Sequence, residues 1–518
     1  MKLLMHWFKK PIFLYAYVAV VLLGNLNQPT IYILDEARNA QCAREMLQQH
    51  EWIVPTFNNE LRAQKPPLHY YAMKLGYTLL GSNSMGARLF SVLAGLFTIV
   101  IIYRFVKRIG GEQWAIAAVW ALALSTHFLF ECRLAVPDPY LIFFNTACLV
   151  CLFYYQQRQQ FYFLYAASFL AALSVLCKGP VGVALPIISF FIFAVFKKNY
   201  KSIFNFHILF AVVFFFIIAL PWFYLVHQYT NGDFTTLFFL KHNVDRFKAP
   251  MEGHGGVFIL IWLFALIGLM PAAAWLFNVK ILKTQFIEND LFKFSSIVVL
   301  VYLIFYCVAG TKLPNYAMPC YPFAAIIIGQ LFLYWYHQPN VNKRIYFFIA
   351  LFYLILTVAV FFLLKNDRLT QKLAWVSFSI IILPIGCFVA WFINAKHKAL
   401  SVSVFLIATI LFNIVLLLFA YPALYQLNPV EQTKHVWQQQ NEIVAYKIYN
   451  PAYNFYLNKN IVVFDSVTLL NIYLKQHPST LVLSRENYLP ELSSLSLQLK
   501  AHAKDIFENP TTVILGKP

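Results

Sequence analysis

The sequence predicts an α-helical polytopic membrane protein of about thirteen transmembrane helices, followed by a small α/β domain. Of its 518 residues, 60% are hydrophobic and only 12% are charged, whereas a soluble domain is about a quarter charged. The apolar residues form continuous runs that approach the roughly 20 residues needed to cross a bilayer as a helix. After residue 420 these runs end and the composition becomes that of a soluble domain. A soluble enzyme is therefore excluded.

Thirteen apolar segments are predicted to span the membrane. The first, 12–24, follows a basic start, and because no small-residue cleavage pattern comes after it we expect an uncleaved span rather than a removed signal peptide. The other twelve lie near residues 88–106, 113–131, 138–155, 161–177, 179–196, 207–226, 255–277, 294–310, 320–336, 345–364, 373–393 and 400–419.

Lysine and arginine in the loops predict the orientation of these spans. With the N-terminus in the cytoplasm, the even-numbered loops are almost purely basic, as cytoplasmic loops are. The odd-numbered loops are longer, mixed in charge and richer in Pro and Gly. We therefore predict that the functional residues lie on the outer face. The lysine and arginine residues of the predicted cytoplasmic loops also explain the net charge of +19. Nucleic-acid binding is therefore not expected.

The part of the chain after residue 420 is predicted to be an α/β domain on the outer side, residues 421–518, attached to a transmembrane domain of residues 1–420. Short apolar runs at 461–464, 480–483 and 512–515 are typical of buried strands. The segment 467–476 between two of them is predicted to be helical.

The first outer loop, 35–85, carries the most informative polar residues. Its start predicts an amphipathic helix along the membrane surface, with Asp35 in the first turn and small apolar residues on one face. Asp35 could simply cap this helix and pair with Arg38 one turn later. However, the neighbouring carboxylates of Asp35 and Glu36 are also groups that a sugar-transfer site needs.

A double proline follows Lys65 in the same loop. Pro66 and Pro67 fix an extended segment before the next helix, so the ammonium group of Lys65 is held in one place. It could be a lysine that reaches the membrane surface, or a point charge that binds a phosphate.

Ionisable residues also lie at the ends of later predicted spans, where such groups are functional candidates. Arg133 and Asp138 flank the third outer loop and are expected to pair with each other or with a ligand. Lys178 ends an apolar span at a tight Gly-Pro turn on the same face.

Two further outer loops offer phosphate ligands. The guanidinium group of Arg246 can bind phosphate through two hydrogen bonds, and the hydroxyl of Tyr316 could donate one more. His242 and His254 raise the question of a metal, but they lack a common helical spacing, and a metal site would need a carboxylate from elsewhere in the chain. No metal or other cofactor is predicted.

Five motifs in order carry a resemblance to a known family: DEARNAQCAREML, QKPPLHYY, RLAVPDPYL, CKGPVG and KLPNYAMPCYPF. Together they resemble the GT-C membrane glycosyltransferases, most closely the bacterial lipid A aminoarabinose transferases and more distantly the protein O-mannosyltransferases. The resemblance covers about residues 10–340. Two positions depart from the family pattern, since Gln64 stands where an acidic residue is common and Lys241 where a histidine is frequent.

The resemblance implies a GT-C fold and inverting transfer of a sugar from undecaprenyl phosphate to lipid A or a related acceptor. It places the protein in the bacterial inner membrane with its site on the periplasmic side. Asp35 matches the family's essential aspartate, and Lys65, Arg246 and Tyr316 match the groups that bind the donor phosphate. Arg38 and Asp138 are expected to line the same cavity.

Asp35 and Asp138 are therefore the predicted catalytic carboxylates, and the predicted substrate-binding residues are Glu36, Arg38, Lys65, Arg133, Lys178, Arg246 and Tyr316. The acceptor stays open, because protein or glycan hydroxyls would suit the same donor. An alternative of a different class is a transporter or flippase for lipid-linked substrates, which would carry ionisable residues near the centres of its spans.

Overall fold

Long helices form most of the molecule, as the hydropathy pattern predicts. A computed structural model describes residues 10–251, 253–277, 282–338, 343–393, 397–438, 442–507 and 510–518. Within these ranges, nine helices are long and apolar enough to cross a membrane: Ser84–Gly110, Asp138–Arg158, Phe161–Lys178, Tyr200–Tyr229, Asp290–Val308, Pro314–His337, Arg344–Asn366, Gln371–Ile393 and Lys398–Tyr425. Two shorter apolar helices are Pro11–Leu23 and Val181–Phe196. The predicted fold class is confirmed.

Two of the thirteen predicted spans are broken rather than continuous. The segment 113–131 forms the helices Glu112–Ala123 and Thr126–Glu131, because Ser125 caps the second helix by accepting a hydrogen bond from the backbone N–H of Phe128. The segment 255–277 begins in irregular structure and forms the helix Leu260–Gly268 and the 3₁₀ turn Ala272–Phe277. Pro271 lies between these two, where a proline ends a helix.

Close backbone packing joins two of the spans at Gly329. A Cβ atom at this position would lie 2.6 Å from the backbone nitrogen of Ala118, so the two helices approach more closely than any larger residue permits. We expect Gly329→Val to lower the free energy of unfolding in detergent by about 1–3 kcal/mol, the usual cost of overpacking. The control is Val308→Ile, at a side chain that is 61% exposed. It should leave the free energy of unfolding unchanged.

The loop helix, Leu34–Gln48, differs from the amphipathic surface helix that the sequence predicts. Its apolar residues are buried, but so are polar residues on its other faces, including Asn39, Gln41, Arg44 and Glu45. Asp35 lies in its first turn, as predicted, while the N-cap position belongs to Ile33. The helix is therefore enclosed by other parts of the chain. A hairpin of β1 (Thr56–Phe57) and β2 (Glu60–Leu61) and the helix Leu68–Leu80 complete this first outer loop.

The C-terminal sheet supplies part of that enclosure. Its five strands, in the order β4-β3-β5-β7-β6, are β3 (Ile443–Tyr446), β4 (Val463–Phe464), β5 (Leu481–Arg485), β6 (Gln498–Lys504) and β7 (Thr511–Gly516). The pairs β3–β4 and β3–β5 are parallel, and β5–β7 and β6–β7 are antiparallel. The predicted strands and the helix Val467–Gln476 are present, whereas β3 and β6 were not predicted. The domain boundary at residue 420 stays a prediction.

Hydrogen bonds tie the first outer loop to this C-terminal region. The backbone N–H of Ile31 donates to the hydroxyl of Tyr456 at 2.8 Å. The side chain of Asn58 donates to the carbonyl of Ile461 at 2.8 Å and accepts from its N–H at 2.7 Å. The start of the chain and its last hundred residues thus form one packed unit around the loop helix.

Candidate active site

A cavity of about 440 Å³ brings together residues from four separate segments that are predicted to lie on the outer face. Lys65, Lys178, Arg246 and Tyr316 all line it, although up to 251 positions separate them in the sequence. Apolar side chains, including Phe238, Phe247 and Phe305, form much of the remaining wall. Its other polar lining residues are Gln64, His242, Asn243, Lys248 and Thr311. The cavity therefore combines four Lys and Arg side chains, of which Lys248 is the fourth, and a phenol with an apolar surface. This combination suits a ligand with an anionic end and a hydrocarbon part. We call it the cationic cavity.

Asp35 lies beside this cavity and faces its cations. One of its carboxylate oxygens is 4.0 Å from the Nζ atom of Lys65, and the other is 3.8 Å from the guanidinium group of Arg62. The side chain is 55% exposed, so the carboxylate remains open to a substrate. Arg38 lies one helical turn further on, close enough to influence the charge of Asp35.

The pKa of Asp35 is held at about 2. Desolvation alone would raise it, but the charges of Lys65, Arg62, Arg38 and Arg246 together outweigh this effect. Desolvation also lowers the pKa of Lys65, and Asp35 opposes that decrease. Asp35 is therefore charged near neutral pH, and its carboxylate is a weak base.

This depressed pKa predicts how Asp35 contributes to stability. Its stabilising contribution is fully present above the pKa of the unfolded chain, about 3.9, and is lost as the pH falls through about 2. We expect Asp35→Asn to be less stable than the wild type by a constant margin between pH 5 and pH 8, and the margin to disappear toward pH 2. Denaturant unfolding in an acid-stable detergent at stepped pH measures it. A margin that persists unchanged at pH 2 would contradict the assignment.

Asp138 is placed behind the cavity wall, where it holds a cation. Its Oδ1 atom is 2.5 Å from the Nζ atom of Lys178 and accepts a second hydrogen bond, at 3.1 Å, from the side chain of Asn315. The sequence suggested that Asp138 would pair with Arg133 or with a ligand. In the structure its ion-pair partner is Lys178. Asp138 starts the helix Asp138–Arg158, and its carboxylate directs the ammonium of Lys178 toward the ring of Tyr316, 5.4 Å away.

Local backbone structure explains why these side chains meet. Gly179 has a φ of +87°, and a Cβ atom there would lie 2.6 Å from the ring of Phe238, so the tight turn after Lys178 requires glycine. Phe238 belongs to a nine-residue π-helix, Leu237–Asp245, that ends immediately before Arg246. π-Helical turns are rare and occur mostly at functional sites.

Glu36 and Arg133 were predicted to bind substrate, and the structure gives each of them internal partners instead. The carboxylate of Glu36 is fully buried and receives two hydrogen bonds, at 2.8 and 2.9 Å, from the guanidinium group of Arg88. Arg133 donates to the carbonyls of Val21 and of Gly24, where the first span ends and its unpaired carbonyls attract a cation. Neither residue lines the cationic cavity.

Sequence reasoning missed three polar residues at the site. Arg62 is buried and reaches Asp35, Asn39 and Tyr70. Glu131 is buried beside Asp138, and the Asn315 amide lies 3.5 Å from its carboxylate. Of these, only Asn315 could have been predicted from the sequence, because it directly precedes Tyr316 in a motif that had already been selected.

The metal hypothesis for the two histidines gains no geometric support. His242 lines the cationic cavity, while the carbonyl of His254 accepts a hydrogen bond from the backbone of Lys312. Among the residues that the structure describes, no group of three His, Cys, Asp or Glu side chains could hold a metal ion.

Comparison with known proteins assigns the class. Residues 64–225 match the family described as dolichyl-phosphate-mannose-protein mannosyltransferase. An uncharacterized protein of Aquifex aeolicus is 30% identical over 70% of this chain and 82% of its own length. The crystal structure of ArnT from Cupriavidus metallidurans bound to undecaprenyl phosphate superimposes with a TM-score of 0.82 over 97% of both chains, at 19% identity. The chain belongs to the GT-C membrane glycosyltransferases.

Within that class the chain is similar to proteins named as aminoarabinose transferases. The undecaprenyl phosphate-alpha-4-amino-4-deoxy-L-arabinose arabinosyl transferase of Edwardsiella ictaluri is 28% identical over 64% of this chain. The match spans 60% of the length of that relative. A similar enzyme of Shewanella sediminis is 29% identical, over 57% of this chain and 55% of its own length.

Proposed function

We propose that this protein is an inverting glycosyltransferase that moves a sugar from undecaprenyl phosphate to lipid A or a related acceptor, at the periplasmic face of a bacterial inner membrane. The observation that carries the proposal is the convergence of Lys65, Lys178, Arg246 and Tyr316 on one partly apolar cavity beside Asp35. A polyprenyl phosphate has the two parts that such a cavity suits, a phosphate and a hydrocarbon chain.

The cations supply most of the catalysis in this proposal. When the bond between the sugar and the phosphate breaks, negative charge grows on the departing undecaprenyl phosphate. Lys65, Lys178 and Arg246 neutralise that charge, and the hydroxyl of Tyr316 donates a hydrogen bond to it. Preorganised charges of this kind stabilise the transition state as the negative charge grows, and they need no rearrangement at the moment of reaction. Attack from the opposite side of the anomeric carbon gives inversion.

The low pKa of Asp35 favours a phosphate as the acceptor. A hydroxyl acceptor needs a base whose pKa lies near the working pH, and a carboxylate with a pKa of about 2 is far from that value. A phosphomonoester is already anionic near neutrality, since its second pKa is about 6, and needs no base. Asp35 would then orient the substrates and balance the charge of Lys65.

Reconstitution with undecaprenyl phosphate-aminoarabinose and defined acceptors tests both the sugar-transfer activity and the acceptor assignment. We expect mass spectrometry to show sugar added to lipid A, with release of undecaprenyl phosphate, but no addition to lipid A whose phosphates have been removed. Equal transfer to the dephosphorylated acceptor, or transfer to peptide hydroxyls instead, would contradict the acceptor assignment. Movement of the intact donor across the bilayer without any release of undecaprenyl phosphate would support a transporter and contradict the whole proposal.

A further inference from the structure

Another cavity, of about 810 Å³, lies on the far side of the loop helix from Asp35. Arg44 lines it, and nine residues separate Arg44 from Asp35. At 3.6 residues per turn, nine residues correspond to two and a half turns, so the two side chains leave opposite faces of the helix. The residues that line this cavity do not include any that line the cationic cavity. We call it the polar cavity.

Uncharged hydrogen-bonding side chains dominate its wall. The side-chain amides of Asn27, Gln28 and Gln426 are exposed in the cavity, and they form no hydrogen bond with the described parts of the chain. The hydroxyls of Ser84 and Tyr456 lie deeper, 3.5 Å apart. An amide offers both donors and an acceptor, which matches the neighbouring hydroxyl groups of a sugar ring.

The charged residues of the wall already have partners. Arg44 donates to the carbonyl of Phe455 at 2.5 Å and to that of Ser82 at 3.0 Å, and its guanidinium group lies 4.0 Å from the Phe455 ring centre. At the rim, Lys434 lies 3.5 Å from Glu431. A phosphate in this cavity would have to compete with these partners, whereas an uncharged ligand would not. This contrasts with the cationic cavity.

We propose that the polar cavity binds an uncharged, hydroxyl-rich oligosaccharide. Its volume lies within the roughly 300–1,000 Å³ of cavities that hold small ligands. Its wall includes Asn27, just after the first span, and Ser82 of the first outer loop. On the other side it includes Gln426 and Asn458 of the C-terminal region. A bound oligosaccharide therefore contacts both parts. This assignment goes beyond the proposed function and does not depend on the identity of the donor or acceptor.

Binding of defined sugars to the full-length protein in detergent tests the proposal. The probe is an array of uncharged oligosaccharides, from trisaccharides to hexasaccharides, and each hit is measured by titration calorimetry. We expect at least one to bind saturably. The triple variant Asn27→Ala/Gln28→Ala/Gln426→Ala should bind it about tenfold more weakly or worse, because several hydrogen bonds are lost together. All three side chains are exposed, so the fold should persist.

Two further variants make the result decisive. Gln371→Ala removes an exposed amide whose only hydrogen bond in the described chain is local, and it should bind like the wild type. Ser82→Trp fills the cavity and should abolish binding even if the triple variant proves unstable. Absence of saturable binding to any uncharged oligosaccharide, or unchanged affinity in both cavity variants, would overturn the proposal. Release of undecaprenyl phosphate from the donor, measured on the same samples, reports separately on the proposed function.

Discussion

Replacing Lys65 with alanine is expected to lower kcat for sugar transfer by about 10²–10³-fold, the range measured when one preorganised group that stabilises developing charge is removed. Lys65 lines the cationic cavity, and its ammonium group lies 4.0 Å from Asp35. Without it, the departing phosphate loses one of its neutralising cations, and the carboxylate of Asp35 is left to repel it. Single-turnover measurement of undecaprenyl phosphate release separates this step from substrate binding.

The matched control is Lys372→Ala, which removes an exposed lysine of another predicted outer loop. It should leave kcat and the donor KM unchanged. Full donor turnover by Lys65→Ala would contradict the phosphate assignment. Equal losses in both variants would indicate a general effect of charge at the membrane surface instead of a specific one in the cavity.

Breaking the buried pair of Glu36 and Arg88 is expected to have the largest effect on stability. Arg88 also donates to the carbonyls of Leu26 and Pro29, at 2.9 and 2.7 Å, and Glu36 accepts from the backbone N–H of Ala135. Glu36→Ala leaves the guanidinium group buried without its counter-ion, which typically costs about 3–5 kcal/mol. Denaturant unfolding in detergent, followed by tryptophan fluorescence, measures the loss.

A double-mutant cycle separates this pair from its surroundings. Glu36→Met/Arg88→Met replaces both charges with apolar side chains, and such replacements are often close to neutral. We therefore expect the double variant to be more stable than the two single variants that complete the cycle, Glu36→Met and Arg88→Met, with a large coupling energy between the two positions. Additive losses would show that the pair itself contributes little and that Arg88 acts through the carbonyls alone.

The spans were predictable because hydropathy is a local property. A run of apolar residues specifies a membrane helix wherever it occurs in the chain, and the predicted segments correspond to helical segments of the structure. The two broken spans, 113–131 and 255–277, were not predictable from hydropathy alone. Their composition is as apolar as that of the others, and the breaks depend on single residues, Ser125 and Pro271.

The sequence motifs predicted that Lys65, Arg246 and Tyr316 lie close together. All three line the cationic cavity. Their roles in catalysis remain predictions. Glu36 and Arg133 show where a sequence pattern is insufficient. Their partners, Arg88 and Gly24, lie 52 and 109 positions away, so nothing near either residue distinguishes an internal ion pair or a helix-end contact from a substrate ligand.

Hydrogen bonds between the two ends of the chain have a consequence for biogenesis. Ile31 and Asn58 bind Tyr456 and Ile461, more than 400 positions later in the sequence. During synthesis these early residues are made first, yet they cannot complete their contacts until the last region has been translated. Contacts of such long range form late in folding. We therefore expect this part of the chain to lack these hydrogen-bond partners until the C-terminal region has been synthesised.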